Sequence, residues 1–346
     1  MIDWALAERI ATLVAGDPPQ PPLGRDLPEI ATASERLVSG YTRLDPPDPL
    51  PPPEAVGRPQ WVQANLRSMR MLIDPLAERL GGDLGPLTPV VRTGAGYVLA
   101  AEVGVLLGYM AQRVLGQYEL VLLEPDTPAR LLFVAPNLED MVGKLDADRD
   151  ELVRWVALHE VTHSLQFAGV PWLREHMAGL VRELLEGVNL EIDPARVLRL
   201  PGPEDLRKLV DALRGGDLIS IVTTPEQRAI VDRIQAVMAV LEGYAEHVMD
   251  VVGAEVLPTL PQLRAALERR RASRSAAARL LERLFGLDLK MRQYEVGKRF
   301  CDAVAQEGGI ETLNRVWRGP YNIPTLPELD DPRAWAERTR VPSVTK

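Results

Sequence analysis

Apolar positions along the chain recur mostly every three or four residues, so helices dominate the reading. Trp4, Leu6, Ile10 and Leu13 or Val14 share one side of a helix over residues 2–15, which the run from Asp17 to Pro22 ends. A second helix is expected over 28–41. Asp45-Pro46-Pro47-Asp48-Pro49-Leu50-Pro51-Pro52-Pro53 then reads as a stiff, extended spacer. Residues 59–80 repeat the helical pattern through Trp61, Leu66, Met69, Leu72, Ile73 and Leu76, and Gly94 and Gly96 precede another helix over 97–115. Two short runs, Glu119 to Leu123 and Leu131 to Val134, read as strands joined by turn residues, which predicts a hairpin. From Leu152 to Phe167 there is no Gly or Pro, and Asp146 or Asp148 can cap the helix that follows. Residues 172–186 continue as helix. A long helix opens at Thr224-Pro225-Glu226-Gln227, with a cap, a proline at the first position and a capping box, and runs to Val252. The fold class expected is α+β, mainly α-helical, with a small β-hairpin or sheet packed on the helix of residues 152–167. An N-terminal helical region with proline-rich spacers, residues 1–90, and a larger unit, 91–346, are expected to form one compact body.

Composition narrows the class. A formal charge of −9 argues against nucleic-acid binding, and the arginine-rich stretch from Arg264 to Arg283 has no interleaved aromatic residues. One cysteine, Cys301, excludes an intrachain disulfide and fits a reducing compartment. The start, Met1-Ile2-Asp3-Trp4, does not read as a signal peptide. The longest apolar stretch, Val98 to Ala111, is too short to span a bilayer and contains Glu102. Its Gly104 and Gly108 suit close helix packing. The expectation is a cytoplasmic protein that binds neither membrane nor nucleic acid; the oligomeric state is not legible.

The chemistry lies in His159-Glu160-Val161-Thr162-His163, which holds two of the chain's four histidines. On a helix the two imidazoles project from one face and can reach one zinc ion at about 2.0–2.1 Å. Glu160 lies roughly 100° round the helix, beside the metal rather than on it. A carboxylate there can take a proton from zinc-bound water. A catalytic zinc needs a third protein ligand. Gly169 stands where metzincins carry a third histidine, and the Gly169-Val170-Pro171 break carries Glu175 and His176 away. Glu242 and Glu246 share a face of the long helix among apolar neighbours, where buried carboxylates need a partner. Glu242 is the expected ligand, with Glu246 orienting a histidine from behind; Glu246, His247 and His176 are the alternatives.

Two histidines in HExxH, a Glu on a later helix and an acid four residues on resemble the gluzincin branch of zinc peptidases. More widely the chain resembles a zincin-like family, mostly actinobacterial, whose members are labelled zinc-dependent metalloprotease, hydrolase, or deazaflavin-cofactor-biosynthesis-associated protein. The resemblance rests on Val114-Leu115-Gly116-Gln117-Tyr118, Val134-Ala135-Pro136-Asn137, His159 to His163, Pro171-Trp172-Leu173, Leu241-Glu242-Gly243, Val248-Met249-Asp250 and Lys290-Met291-Arg292-Gln293-Tyr294. It implies a zincin-like fold and a metal site. The acid after Glu242 is a Glu where well-studied gluzincins have Asp, and no Asn precedes Glu242.

The expected function is zinc-dependent hydrolysis of a peptide or protein substrate, with Glu160 as general base. Tyr294 is the expected oxyanion donor, since Tyr244 should point away from Glu242. The strand Leu131 to Val134 is expected to accept an extended substrate by strand addition. The alternative is a non-catalytic zinc-stabilised scaffold or a partner-binding protein.

Overall fold

The structure is a computed structural model, and it describes residues 2–20, 23, 26–79, 88–187, 224–272 and 287–340. Side chains are described for these except 76–79, 88–93, 95, 267, 268, 270–272 and 287–294. In chain order the main elements are α1 (Trp4–Ala15), α2 (Leu27–Thr42), β1 (Pro53–Val56), α3 (Arg58–Arg79), α4 (Thr88–Ala111), β2 (Gly116–Glu119) and β3 (Arg130–Val134). There follow α5 (Ala135–Leu145), α6 (Arg149–Gly169), α7 (Leu173–Gly187), α8 (Pro225–Val256), α9 (Leu260–Ala272) and α10 (Leu287–Leu313). Short 3₁₀ turns lead to α11 (Leu326–Asp330) and α12 (Pro332–Arg338). The class is α+β and mainly helical, as the apolar periodicity predicts.

The sheet has strand order β1-β3-β2, with β1 parallel and β2 antiparallel to β3. Side chains on β3 alternate between its two faces. Leu131 and Phe133 join the apolar cluster of α2, α6 and α8, whereas Leu132 and Val134 join that of α1, α3 and α4. The sheet is therefore a thin layer between two helical layers, which explains why all four residues are buried. This corrects two expectations. β3 is central, with a partner on each side, so it cannot accept a substrate strand; among the described residues β1 and β2 form the edges. β2 lies at 116–119 rather than 119–123, because Val121 is buried within a turn and the apolar run is not extended.

Close backbone approach organises each layer. A Cβ on Gly104 would lie 2.7 Å from the Ala7 carbonyl oxygen, and one on Gly108 would lie 2.6 Å from that of Ala11. The two glycines thus let α4 pack directly on the alanine face of α1, as their spacing suggested. In the second layer, Cβ atoms on Gly243 and Gly297 would overlap the facing backbone of α10 and α8 respectively. Arg58 joins the layers: its guanidinium donates to Asn137 Oδ1 (2.7 Å), the Ala15 carbonyl and Asp140. Asn137 in turn donates to the carbonyls of Ala111 and Val114, fixing the start of α5, a helix the sequence pattern did not separate from α6. Among the described residues, no helix is long and apolar enough to cross a membrane.

Candidate metal centre

Two long helices build the site. Asp148 caps α6, accepting from the Glu151 backbone N–H at 2.9 Å, while Asp146 takes a left-handed conformation at the end of α5. Inside this buried helix, the Thr162 and Ser164 hydroxyls donate to the carbonyls of Leu158 and Glu160, so neither is left without a partner. α8 starts with the capping box of Thr224 and Gln227. The two helices run antiparallel: Gln166 donates to the Leu241 carbonyl (3.0 Å), while Thr259, just past α8, donates to Glu151 at the start of α6.

This packing brings three donor atoms together. His159 Nε2 and His163 Nε2 are 3.2 Å apart, and Glu242 Oε2 lies 3.6 and 3.4 Å from them. Ligands at about 2.0–2.1 Å around a tetrahedral cation are separated by about 3.3 Å. The three edges bracket that value, so two imidazoles and a carboxylate fit one small divalent cation. All three side chains are mostly buried, with Glu242 13% exposed.

Gln166 sets the orientation of His163. Its amide nitrogen is committed to the Leu241 carbonyl, so its Oε1 faces His163 Nδ1 at 2.9 Å and accepts a hydrogen bond from the Nδ1–H. Nε2 is left to face Glu242. Burial pushes the His163 pKa down, but Glu242, then Glu160 and Gln166, outweigh it and raise the value to about 9. The carboxylates therefore draw positive charge, whether a proton or a metal ion, into this corner. Glu160 is 7% exposed, and its Oε2 accepts from the backbone N–H of Tyr118 at 2.9 Å. A Cβ on Gly116 would come within 2.7 Å of Glu160 Cγ and Val156 Cγ1, so the glycine makes room for the acid beside β2. A cavity of about 570 Å³ opens on His159, His163, Glu160 and Glu242.

The sequence profile of the zincin-like metallopeptidase family matches residues 2–336. The chain belongs to this family. A crystal structure of a protein from Chloroflexus aurantiacus, provisionally described as a hydrolase with a novel fold, is similar at 29% identity with a TM-score of 0.72, covering 98% of each chain. No curated protein matches. A metal site goes with a zincin-like family, and the His159–His163–Glu242 group is a donor set that can hold one.

Glu246 lines the same cavity, but its Oε2 accepts from Arg264 (3.4 Å), and it is Gln166 that bonds to a histidine of the cluster. Tyr244 does point away: its hydroxyl donates to Asn314 at 2.7 Å. His247 lies in a separate network with Tyr41 and Asp302, and His176 packs edge-on against Trp172. The side chain of Tyr294 lies outside the described residues. Two features went unread in the sequence. Gln166 stands three residues after His163 on the same face, a spacing that gains meaning only once its amide is seen to reach the Leu241 carbonyl. Gly116 and Tyr118 were noted as a motif, yet their service to Glu160 needs the strand-to-helix contact.

Proposed function

We propose that the protein is a zinc-dependent hydrolase acting on peptide bonds, with His159, His163 and Glu242 as metal ligands and Glu160 as general base. The observation that carries the reading is the three-donor triangle, with edges of 3.2, 3.4 and 3.6 Å, set beside Glu160 on an open cavity. Zinc bound there would supply Lewis acidity, lowering the pKa of a water and polarising a carbonyl. Glu160 is held by the Tyr118 N–H through one oxygen, which fixes the carboxylate against β2. From that position it takes the proton of the attacking water and returns it to the leaving amine. Gln166 keeps His163 in the tautomer that presents Nε2. Tyr294 is the proposed donor to the substrate carbonyl oxygen as charge builds on it. Cys301, buried and without a second cysteine to pair with, supports a cytoplasmic setting.

The alternative, a zinc site that only ties two helices together, calls for a closed site with four protein ligands. Among the described residues the cluster has three, which supports an open position. Glu160→Gln separates the two readings. Zinc content by elemental analysis should stay near wild type, and hydrolysis of a substrate found in a peptide library should fall about 10²–10⁴-fold. Intact activity in this variant would refute the base assignment, and zinc loss or unfolding would favour the scaffold.

A further inference from the structure

We propose that the cavity recognises a cationic group of the substrate at its Glu246 end; this rests on the hydrolase reading and names its substrate class. The argument begins with the spacing on α6. Trp155, His159, His163 and Phe167 follow one another every four residues, and all four line the cavity. An aromatic ring therefore brackets the histidines on each side, one helical turn or roughly 5–6 Å away. On α8, Met238, Glu242 and Glu246 line the same cavity at the same spacing. Because the helices are antiparallel, Glu246 lies toward the Trp155 end and Met238 toward the Phe167 end.

The two ends differ in chemistry. At the Phe167 end, Tyr118 stacks on Phe167 with ring centroids 6.1 Å apart and planes 25° apart, and Met238 completes an apolar wall. At the other end Glu246 and Trp155 both line the cavity. Glu246 is 19% exposed, and its bonds to Arg264 are 3.4 Å, longer than the roughly 2.7–2.9 Å of a strong charge-assisted bond. Arg264 makes its shorter contact with Asp250. Both Arg264 bonds use Oε2, and among the described residues no bond to Oε1 is present. Behind Glu246, among the described residues, Arg264 also meets Asp250, and Lys298 and His247 meet Asp302. A largely buried, weakly paired carboxylate gains most from a ligand that brings its own positive charge, and a tryptophan wall is the best aromatic surface for a cation. The opposite end has aromatic faces but pairs them with Met238 rather than a carboxylate, so the cation is directed to the Glu246 end.

The cation has two sources, a free α-amino terminus or a lysine or arginine side chain, and the test distinguishes them. Zinc-loaded full-length protein is titrated calorimetrically with leucine hydroxamate against N-acetyl-leucine hydroxamate, and with Nα-acetyl-lysine hydroxamate against Nα-acetyl-norleucine hydroxamate. Each probe is also tested as its carboxamide. In at least one pair the cationic member should bind about 10-fold tighter or more, as expected for a bond to a charged group. The pair that shows the preference names the source. Glu246→Gln should erase that preference and retain zinc by elemental analysis. Equal binding within both pairs, a preference that survives Glu246→Gln, or loss of zinc from that variant would each overturn the proposal. Failure of the metal reading shows differently, as hydroxamates that bind no better than carboxamides while the comparison within each pair still stands.

Discussion

The two faces of α8 hold their polar groups in opposite ways. On one face, Glu242 meets His159 and His163 through nitrogens aimed at a common point, beside an open cavity. Five residues on, about 140° round the helix, His247 is 6% exposed and uses both ring nitrogens, one with Asp302 at 2.8 Å and one with the Tyr41 hydroxyl at 2.8 Å. His163 commits Nδ1 to Gln166 and turns Nε2 toward Glu242 and His159. The difference shows what separates a histidine arranged to hold a metal from a structural one. Burial and a carboxylate neighbour are common to both. What differs is whether the second nitrogen is consumed by a protein hydroxyl or converges with other donors.

The sharpest way to break this comparison is to remove each kind of histidine. Replacing His159 and His163 together by Ala should abolish stoichiometric zinc binding, read by elemental analysis after dialysis. His247→Ala should keep one zinc per chain. Metal retained in the double variant, or lost in His247→Ala, would reverse the assignment of the two faces.

A finer cut lies within the site. Glu242→Ala should weaken zinc more than Gln166→Ala or Glu246→Ala, since it removes a donor rather than a support. Gln166→Ala should cost about 10–100-fold in affinity, the usual worth of a group that orients a ligand, and should exceed Glu246→Ala. Competition against a chelator measures all three. If Glu246→Ala is the more damaging of the two supports, then Glu246 rather than Gln166 orients the site.

These rankings also mark how far the sequence carries. The spacing of His159 and His163, the Asp148 cap and the Thr224–Gln227 box are local properties of one helix each, and each is visible in a few consecutive residues. Glu242 was reachable because a carboxylate among Val237, Leu241 and Val248 demands a partner. Gln166 was not chosen, because a glutamine in a helix is unremarkable until the Leu241 carbonyl is seen to take its other end. β1 was hidden in the proline-rich run, since its pairing with β3 comes from 70 or more residues away. The role of Gly243 and Gly297 was not read from the sequence, because only their mutual contact shows that they permit the crossing.

On the structural face the expected effect is smaller. His247→Ala leaves Asp302 to Lys298 alone and the Tyr41 hydroxyl without its acceptor. Loss of one partner from such a pair costs about 1–3 kcal/mol. Denaturant unfolding of zinc-loaded protein should show that loss with zinc content unchanged. An unchanged midpoint would mean that the Tyr41–His247–Asp302 bonds add little to stability.

The smallest effect separates the faces by proton rather than by metal. His163 has its pKa raised to about 9 by Glu242, Glu160 and Gln166 against the opposing effect of burial. A histidine in the unfolded chain titrates near 6.5. A group whose pKa is higher when folded binds its proton more tightly in the native state, so it stabilises fully below about pH 6.5 and loses that contribution as pH rises through about 9. Chelator-treated protein should therefore lose thermal stability progressively across that window. Zinc bound there would displace the proton from Nε2 and neutralise the same carboxylates, so the zinc-loaded protein should not show this loss. Melting curves at half-unit pH steps, with and without zinc, would read both slopes. A metal-free midpoint that stays flat or rises between pH 6.5 and 9 would show that the site does not retain a proton on His163, and the account of its carboxylates as a trap for positive charge would fall with it.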